Sequence, residues 1–467
     1  MSAATTALIF AAALLPAPVH AWSGDPAVNT AVSTATDEQR LPAIASDGAG
    51  GSIVAWQDRR SGNDDVYVQR FNAAGAAQWA ANGVALCTAT GNQTIIRLVS
   101  DGAGGAVAAW QDARSGDLQI YARRVNAAGT PQWTADGVVL CTASSSQNVQ
   151  LVPDGIGGAT VCWNDFRNFT DFKAYAQRIN GSGAVQWTAN GVALSNGANS
   201  QYFPRIATDG SGGAIFAWQD NRNGNLSDIY AQRINSSGAV QWTAAGAAVS
   251  NAASLQSKPK VVSDGSGGAI IGWDDFRGGS NYDVYAQRVN ASGAAQWTAD
   301  GVVMAAAAGH QEKVQLAMDG SGGAIAIWED GRSTIDIYAQ RINASGAVQW
   351  TANGVAVCAA ADIQLDPQLV SDGAGGAVAT WSDRRDGTQY DIYAQRIGST
   401  GVAQWTANGL AVCTAANSQT DSQLVADGPG GAVMVWTDLR VISSDIYAAR
   451  VTAGGFLPAV VTAFRAE

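Results

Sequence analysis

Short apolar runs alternate with turns rich in glycine, asparagine and aspartate along the whole chain, and no stretch sustains a helical period. One copy of the pattern starts at Arg97-Leu98-Val99-Ser100 and stops at Asp-Gly-x-Gly-Gly, a sequence suited to a hairpin turn with positive φ. Ala106 to Asp112 follows, carrying small and aromatic residues, and then Ile120-Tyr121-Ala122-Arg123-Arg124-Val125. A second tight turn, of the Asn-Ala-Ser-Gly kind in most copies, leads to a fourth run that begins near Gln-Trp. The pattern predicts four short antiparallel strands, A to D, and an all-β fold.

The same unit recurs eight times. Trp56, Trp110, Trp163, Trp218, Trp273, Trp328, Trp381 and Trp436 follow one another at intervals of 53 to 55 residues. A second tryptophan comes 22 to 24 residues later in seven of the units, from Trp79 to Trp405. Four strands per unit of this length predict an eight-bladed β-propeller, with tryptophans packed between neighbouring blades. The eighth unit lacks its second tryptophan, and Phe456 stands near that place. Trp22 lies 34 residues before Trp56, where the other units show a separation of 30 or 31. Residues 22–35 are therefore expected to supply strand D of the last blade and close the ring; residues 458–464 are the competing candidate.

Ala7 to Leu15 form an apolar run, followed by Pro16, Pro18 and the small-x-small sequence Val19-His20-Ala21. Residues 1–21 thus read as a signal peptide, residues 22–467 as one propeller domain, and the protein as secreted, periplasmic or at the cell surface. No later run is long enough to be a transmembrane segment. The net charge is −11 with no cluster of Lys and Arg, which argues against nucleic acid or anionic lipid as a partner. A monomeric propeller is expected. Cys87, Cys141, Cys358 and Cys413 occupy one position in four different units, so they read as small buried residues, not as disulfide partners.

Two resemblances attach to these residues. Asp-Gly-x-Gly-Gly, the tryptophan strand and Asp-Ile-Tyr-Ala together resemble the repeats of Tol-system propellers. The run from Tyr338-Ala339 through Asn343-Ala344-Ser345-Gly346 to Trp350 resembles the tryptophan-docking motif of eight-bladed quinoprotein propellers. Both imply the fold. Quinone-binding relatives would also imply adjacent cysteines, and no Cys-Cys pair is present, so a quinoprotein-like redox enzyme ranks last and no cofactor is expected. The acidic composition leaves calcium open.

Strand direction places the A–B and C–D turns on one face, called lower, and the variable B–C and D–A loops on the other. Recognition is therefore expected above. The Asp-x-Arg motif after strand B occurs in all eight units, from Asp58 and Arg60 to Asp438 and Arg440, and together with the arginines that end strand C, from Arg70 to Arg450, reads as ion pairing that locks the B–C hairpin. Two places break the repeat. Phe166, Phe169 and Phe172 in one B–C loop, with Tyr202 and Phe203 in the next D–A loop, are candidates for a glycan- or peptide-binding platform. Asp274, Asp275, His310, Glu329 and Asp330, with Glu312 and Lys313 between them, form an acidic cluster across units five and six. Such carboxylates suit calcium or acid/base chemistry. A third feature is a ring made by Arg97, Gln150, Arg205, Lys260, Gln315, Gln368 and Gln423, with Ala43 as the exception, expected to line a central channel. With one histidine and four glutamates after residue 21, the chain reads first as a non-catalytic scaffold that binds a protein or glycan. The alternative is a carbohydrate-active hydrolase using the carboxylates of units five and six.

Overall fold

A computed structural model of the chain describes residues 22–143, 145–224 and 226–455. The expected signal peptide, Phe456 and residues 458–464 lie outside the described residues. Eight four-stranded antiparallel sheets are present, each in the order A-B-C-D. Blade 1 consists of Gln39–Ser46, Ser52–Asp58, Asp65–Phe71 and Val84–Cys87. Blade 8 consists of Gln419–Ala426, Ala432–Asp438 and Asp445–Val451, and its strand D is Thr30–Ser33 from the other end of the chain. Thr30 pairs with Ala448 and Ala31 with Tyr447. The N-terminal segment closes the ring, as its spacing to Trp56 implied.

Two sets of indoles hold the blades. The strand-B tryptophans are fully buried, and each donates Nε1–H to the aspartate two residues on, as Trp56 does to Asp58 Oδ2 at 2.8 Å. The second tryptophans sit lower and dock on the following blade. Trp79 donates to the Ala127 carbonyl at 3.2 Å, Trp187 to that of Ser236 at 3.1 Å and Trp350 to that of Ser399 at 3.0 Å. Each lies against a turn glycine of the next blade. A Cβ on Gly129 would stand 2.6 Å from the Trp79 ring, so this glycine is required both for its φ of +80° and for its lack of a side chain. Trp22, 2% exposed, performs the same docking for blade 8 by donating to the Ala73 carbonyl.

Candidate functional site

Most charged residues of the repeat turn out to be structural. Asp58 receives the Trp56 indole and the guanidinium of Arg60, with Nε–Oδ1 at 2.8 Å, while the Arg60 guanidinium lies 3.9 Å from the centre of the Tyr67 ring. The clamp recurs in every blade. The arginine ending strand C belongs to a second, separate clamp. Arg70 pairs with Asp47 of the A–B turn at 2.9 Å and reaches the Ala127 carbonyl of the next blade. One ion pair thus ties the upper end of a blade and another the lower end, where a single lock on the B–C hairpin was expected.

Asp275 and Asp330 are two of the upper clamp aspartates. Asp275 accepts from Trp273 at 2.7 Å and from Arg277, and Asp330 accepts from Trp328 at 2.9 Å and from Arg332. Both are fully buried, and their lone pairs are committed. They leave the acidic site predicted from sequence.

What distinguishes the blades is the inner strand. Near its upper end each strand A is bulged, and the residue at the bulge takes a left-handed conformation. Around the ring these residues are Leu41, Ile95, Asn148, Phe203, Lys258, Lys313, Asp366 and Asp421, with φ between +50° and +58°. The bulge is a property of the fold, since Ile and Phe adopt it as readily here as Asn does. The side chains it carries differ from blade to blade. Blades 1 and 2 present apolar groups, blades 5 and 6 cations, and blades 7 and 8 carboxylates.

In three blades the residue after the strand-B tryptophan bonds this bulge in the following blade. Thr437 Oγ1 accepts from the Leu41 N–H at 3.1 Å. Asp274 accepts from the N–H groups of Lys313 and Val314 at 3.1 and 3.3 Å. Glu329 accepts from the Asp366 N–H at 2.7 Å. In blades 5 to 7 these carboxylates build two alternating charge triads. Lys258 stands 3.5 Å from Asp274 and 3.2 Å from Glu312, and Lys313 stands 3.0 Å from both Glu329 and Asp366. Burial pushes the Asp274 carboxyl up to about 6 despite Lys258 and its two N–H donors. Burial also raises Glu329 above the ordinary glutamate range, against the pull of the Asp366 N–H and Lys313.

Glu312 and Glu329 are directly opposed on strands A and B of blade 6. Opposed residues of an antiparallel pair have Cβ atoms about 4.5–5.5 Å apart. Both line one upper pocket of about 380 Å³, together with His310, Ser333, Thr334 and Ile335. His310 accepts from the Tyr282 N–H through Nδ1 at 3.1 Å, and its ring lies 5.8 Å from that of Tyr282. Of the predicted acidic residues, then, His310 and Glu329 share this pocket, Asp274 is buried beneath the neighbouring bulge, and Glu312 joins them. Glu312 was visible in the sequence as a loop residue; its pairing with Glu329 follows only from strand register. Among the described residues no group of three or more His, Cys, Asp or Glu side chains is placed to hold a metal ion.

The aromatic residues predicted from blades 3 and 4 do come together. Ring centres lie 6.5 Å apart for Phe166 and Phe169, 5.0 Å for Phe166 and Phe172, 5.7 Å for Phe172 and Tyr202, and 6.3 Å for Tyr202 and Phe203. Phe169 is 74% exposed. The array spans the upper edge from the blade 3 loop to the blade 4 bulge, one blade from Lys258.

No family model matches the chain, and no curated protein matches it. Solved structures do align with it. Puromycin hydrolase aligns at 15% identity over 90% of this chain, with a TM-score of 0.49, and the chain spans 61% of that protein's length. An ulvan lyase, a polysaccharide lyase, aligns at 10% identity over 93% of this chain and 98% of its own, with a TM-score of 0.48. A Hadza microbial sialidase aligns at 10% identity over 72% of this chain and 73% of its own, with a TM-score of 0.38. At these identities the likeness is one of fold.

Proposed function

We propose an enzyme in place of the expected non-catalytic scaffold, since all three of these proteins are named as enzymes. Few histidines and glutamates in the chain as a whole is a poor argument against catalysis. Acid/base chemistry needs one suitably placed pair of carboxylates.

We propose that the chain is a carbohydrate-active hydrolase whose reacting groups are Glu312 and Glu329. The observation that carries this reading is that the two glutamates stand opposite one another and open into the same pocket. Retaining glycosidases hold two carboxyl groups about 5–5.5 Å apart, one as nucleophile and one as general acid. Cross-strand pairing brings the two Cβ atoms to about 4.5–5.5 Å, from which side-chain rotation sets the carboxyl separation. Glu329, 5% exposed at its side chain and raised in pKa by burial, is the general acid. Glu312, 32% exposed at its side chain, is the nucleophile. Lys313, ion-paired with Glu329 at 3.0 Å, stabilises the carboxylate left when the acid has given up its proton. The exposed rings of Phe203 and Phe169 offer apolar faces to sugar rings two and three blades away, which implies a substrate of several residues. Lyases and sialidases among the similar folds are consistent with a glycan as the ligand.

A broad panel of chromogenic glycosides and polysaccharides tests this. Glu312→Gln and Glu329→Gln should each lower kcat on the active substrate by at least about a hundredfold, the range for a positioned acid or base. Activity that survives both substitutions together rejects the assignment.

A further inference from the structure

The central channel carries a charge pattern that neither the clamps nor the hydrolytic site uses. It encloses about 560 Å³ and is lined by the inner strands. Arg97, Arg205 and Lys260 all face it, from blades 2, 4 and 5, with Gln150 between the first two. Most cations of this chain are matched with carboxylates, sixteen arginines in the two sets of clamps alone; Arg123 and Lys173 instead donate to backbone carbonyls. Among the described residues no carboxylate lies within ion-pair distance of Arg97, Arg205 or Lys260. The two guanidiniums donate to the carbonyls of the preceding residues, Ile96 at 3.0 Å and Pro204 at 3.1 Å.

Nearby carboxylates do not neutralise the group. Asp366 and Asp421 line the same channel from blades 7 and 8, but Asp366 is engaged by Lys313, and Asp421 accepts from the Thr420 hydroxyl. Asp274 is held by Lys258 and two backbone donors. Burial, and then mutual repulsion, depresses the pKa of Arg205 to about 10 and that of Lys260 well below its usual value. Three like charges in a confined space destabilise a protein unless something binds between them.

We propose that the central channel is an oxyanion-binding site, in which Arg97, Arg205 and Lys260 together hold one carboxylate, sulfate or phosphate group. Two guanidiniums bring planar, multi-donor recognition of such groups, and Lys260 adds a point charge. Glutamine amides at Gln150, Gln315, Gln368 and Gln423 complete a donor-rich wall. The site does not depend on the hydrolase reading, because it is a binding site and is measured without turnover.

The experiment is calorimetric titration of the intact protein in low-salt buffer with sulfate, phosphate, glucuronate and, as a neutral control, glucose. One molar equivalent of at least one oxyanion should bind, and glucose should not. Binding of sulfate or phosphate alone assigns the channel to a free inorganic ion; binding of glucuronate assigns it to an acidic sugar. The double variant Arg205→Gln, Lys260→Met should weaken binding at least tenfold. Without ligand it should unfold at the same or a higher temperature than the parent protein, because like charges have been removed. Absence of binding by every oxyanion, equal binding by the double variant, or a lower unfolding temperature for it would each overturn the proposal, the last by showing a purely structural role.

Discussion

The upper clamp shows how a single residue type serves many copies of one unit. In blade 4, Asp220 has no exposed surface and receives Trp218, Arg222 Nε and Arg222 Nη2 at 2.7, 2.8 and 2.6 Å. Removing one partner of a buried ion pair costs about 3–5 kcal/mol, because the other is left uncompensated. Asp220→Asn should therefore lower stability by that order in urea unfolding, whereas Asp386→Asn, at an exposed loop, should change it little. The clamp also explains the cysteines. Cys87, Cys141, Cys358 and Cys413 lie within 3.2–3.5 Å of a clamp arginine, where Ser195 and Ser250 stand in blades 3 and 4. They are buried, as their repeat position implied, and burial pushes the Cys87 thiol up to about 12. None is poised for thiolate chemistry.

At the scale of the element, the decisive strand is Thr30–Ser33. Its pairing with Asp445–Val451 removes the edge that an open array would expose. A chain starting after residue 35 should expose that edge and self-associate, which light scattering after gel filtration would register as concentration-dependent mass. The more conservative Trp22→Ala removes the docking indole but keeps the strand. Truncation of a buried aromatic costs about 3–5 kcal/mol, and the urea midpoint should fall accordingly. This closure was legible from spacing alone, because strand length and turn length leave little freedom in where a blade's tryptophan can fall. The inner strand was less legible. Its bulge, between Glu312 and Gln315 in blade 6, breaks the alternation of faces, so counting residues along the strand does not say which side chains share a side.

Across the whole molecule, electrostatics set a characteristic pH dependence. Asp274, Asp391 and Asp445 are each raised to about 6, Asp274 by burial with a smaller push from Glu312, and the other two by burial reinforced by neighbouring aspartates. A carboxyl whose folded pKa lies above its unfolded value binds protons more tightly in the native state. Its contribution is therefore greatest below pH 3.8 and is lost as pH rises through 6. Thermal unfolding midpoints should rise as pH is lowered from 7 towards 5, and Asp274→Asn should flatten part of that slope.

Tryptophan spacing, glycine-bearing turns and alternating strands determined the all-β architecture, the number of blades, the closure of the ring and the two aromatic loops that meet above blades 3 and 4. These depend on interactions between residues close in sequence, or on a repeat that says the same thing eight times. Which acids face one another was decided only in three dimensions. Asp274 and Asp275 are adjacent in the chain and part company across the sheet, while Glu312 and Glu329 are joined by register. The three channel cations likewise meet only because closure brings separate blades around one axis. Repetition encodes the scaffold; the site depends on the few positions where it is broken, and their partners are chosen by long-range packing.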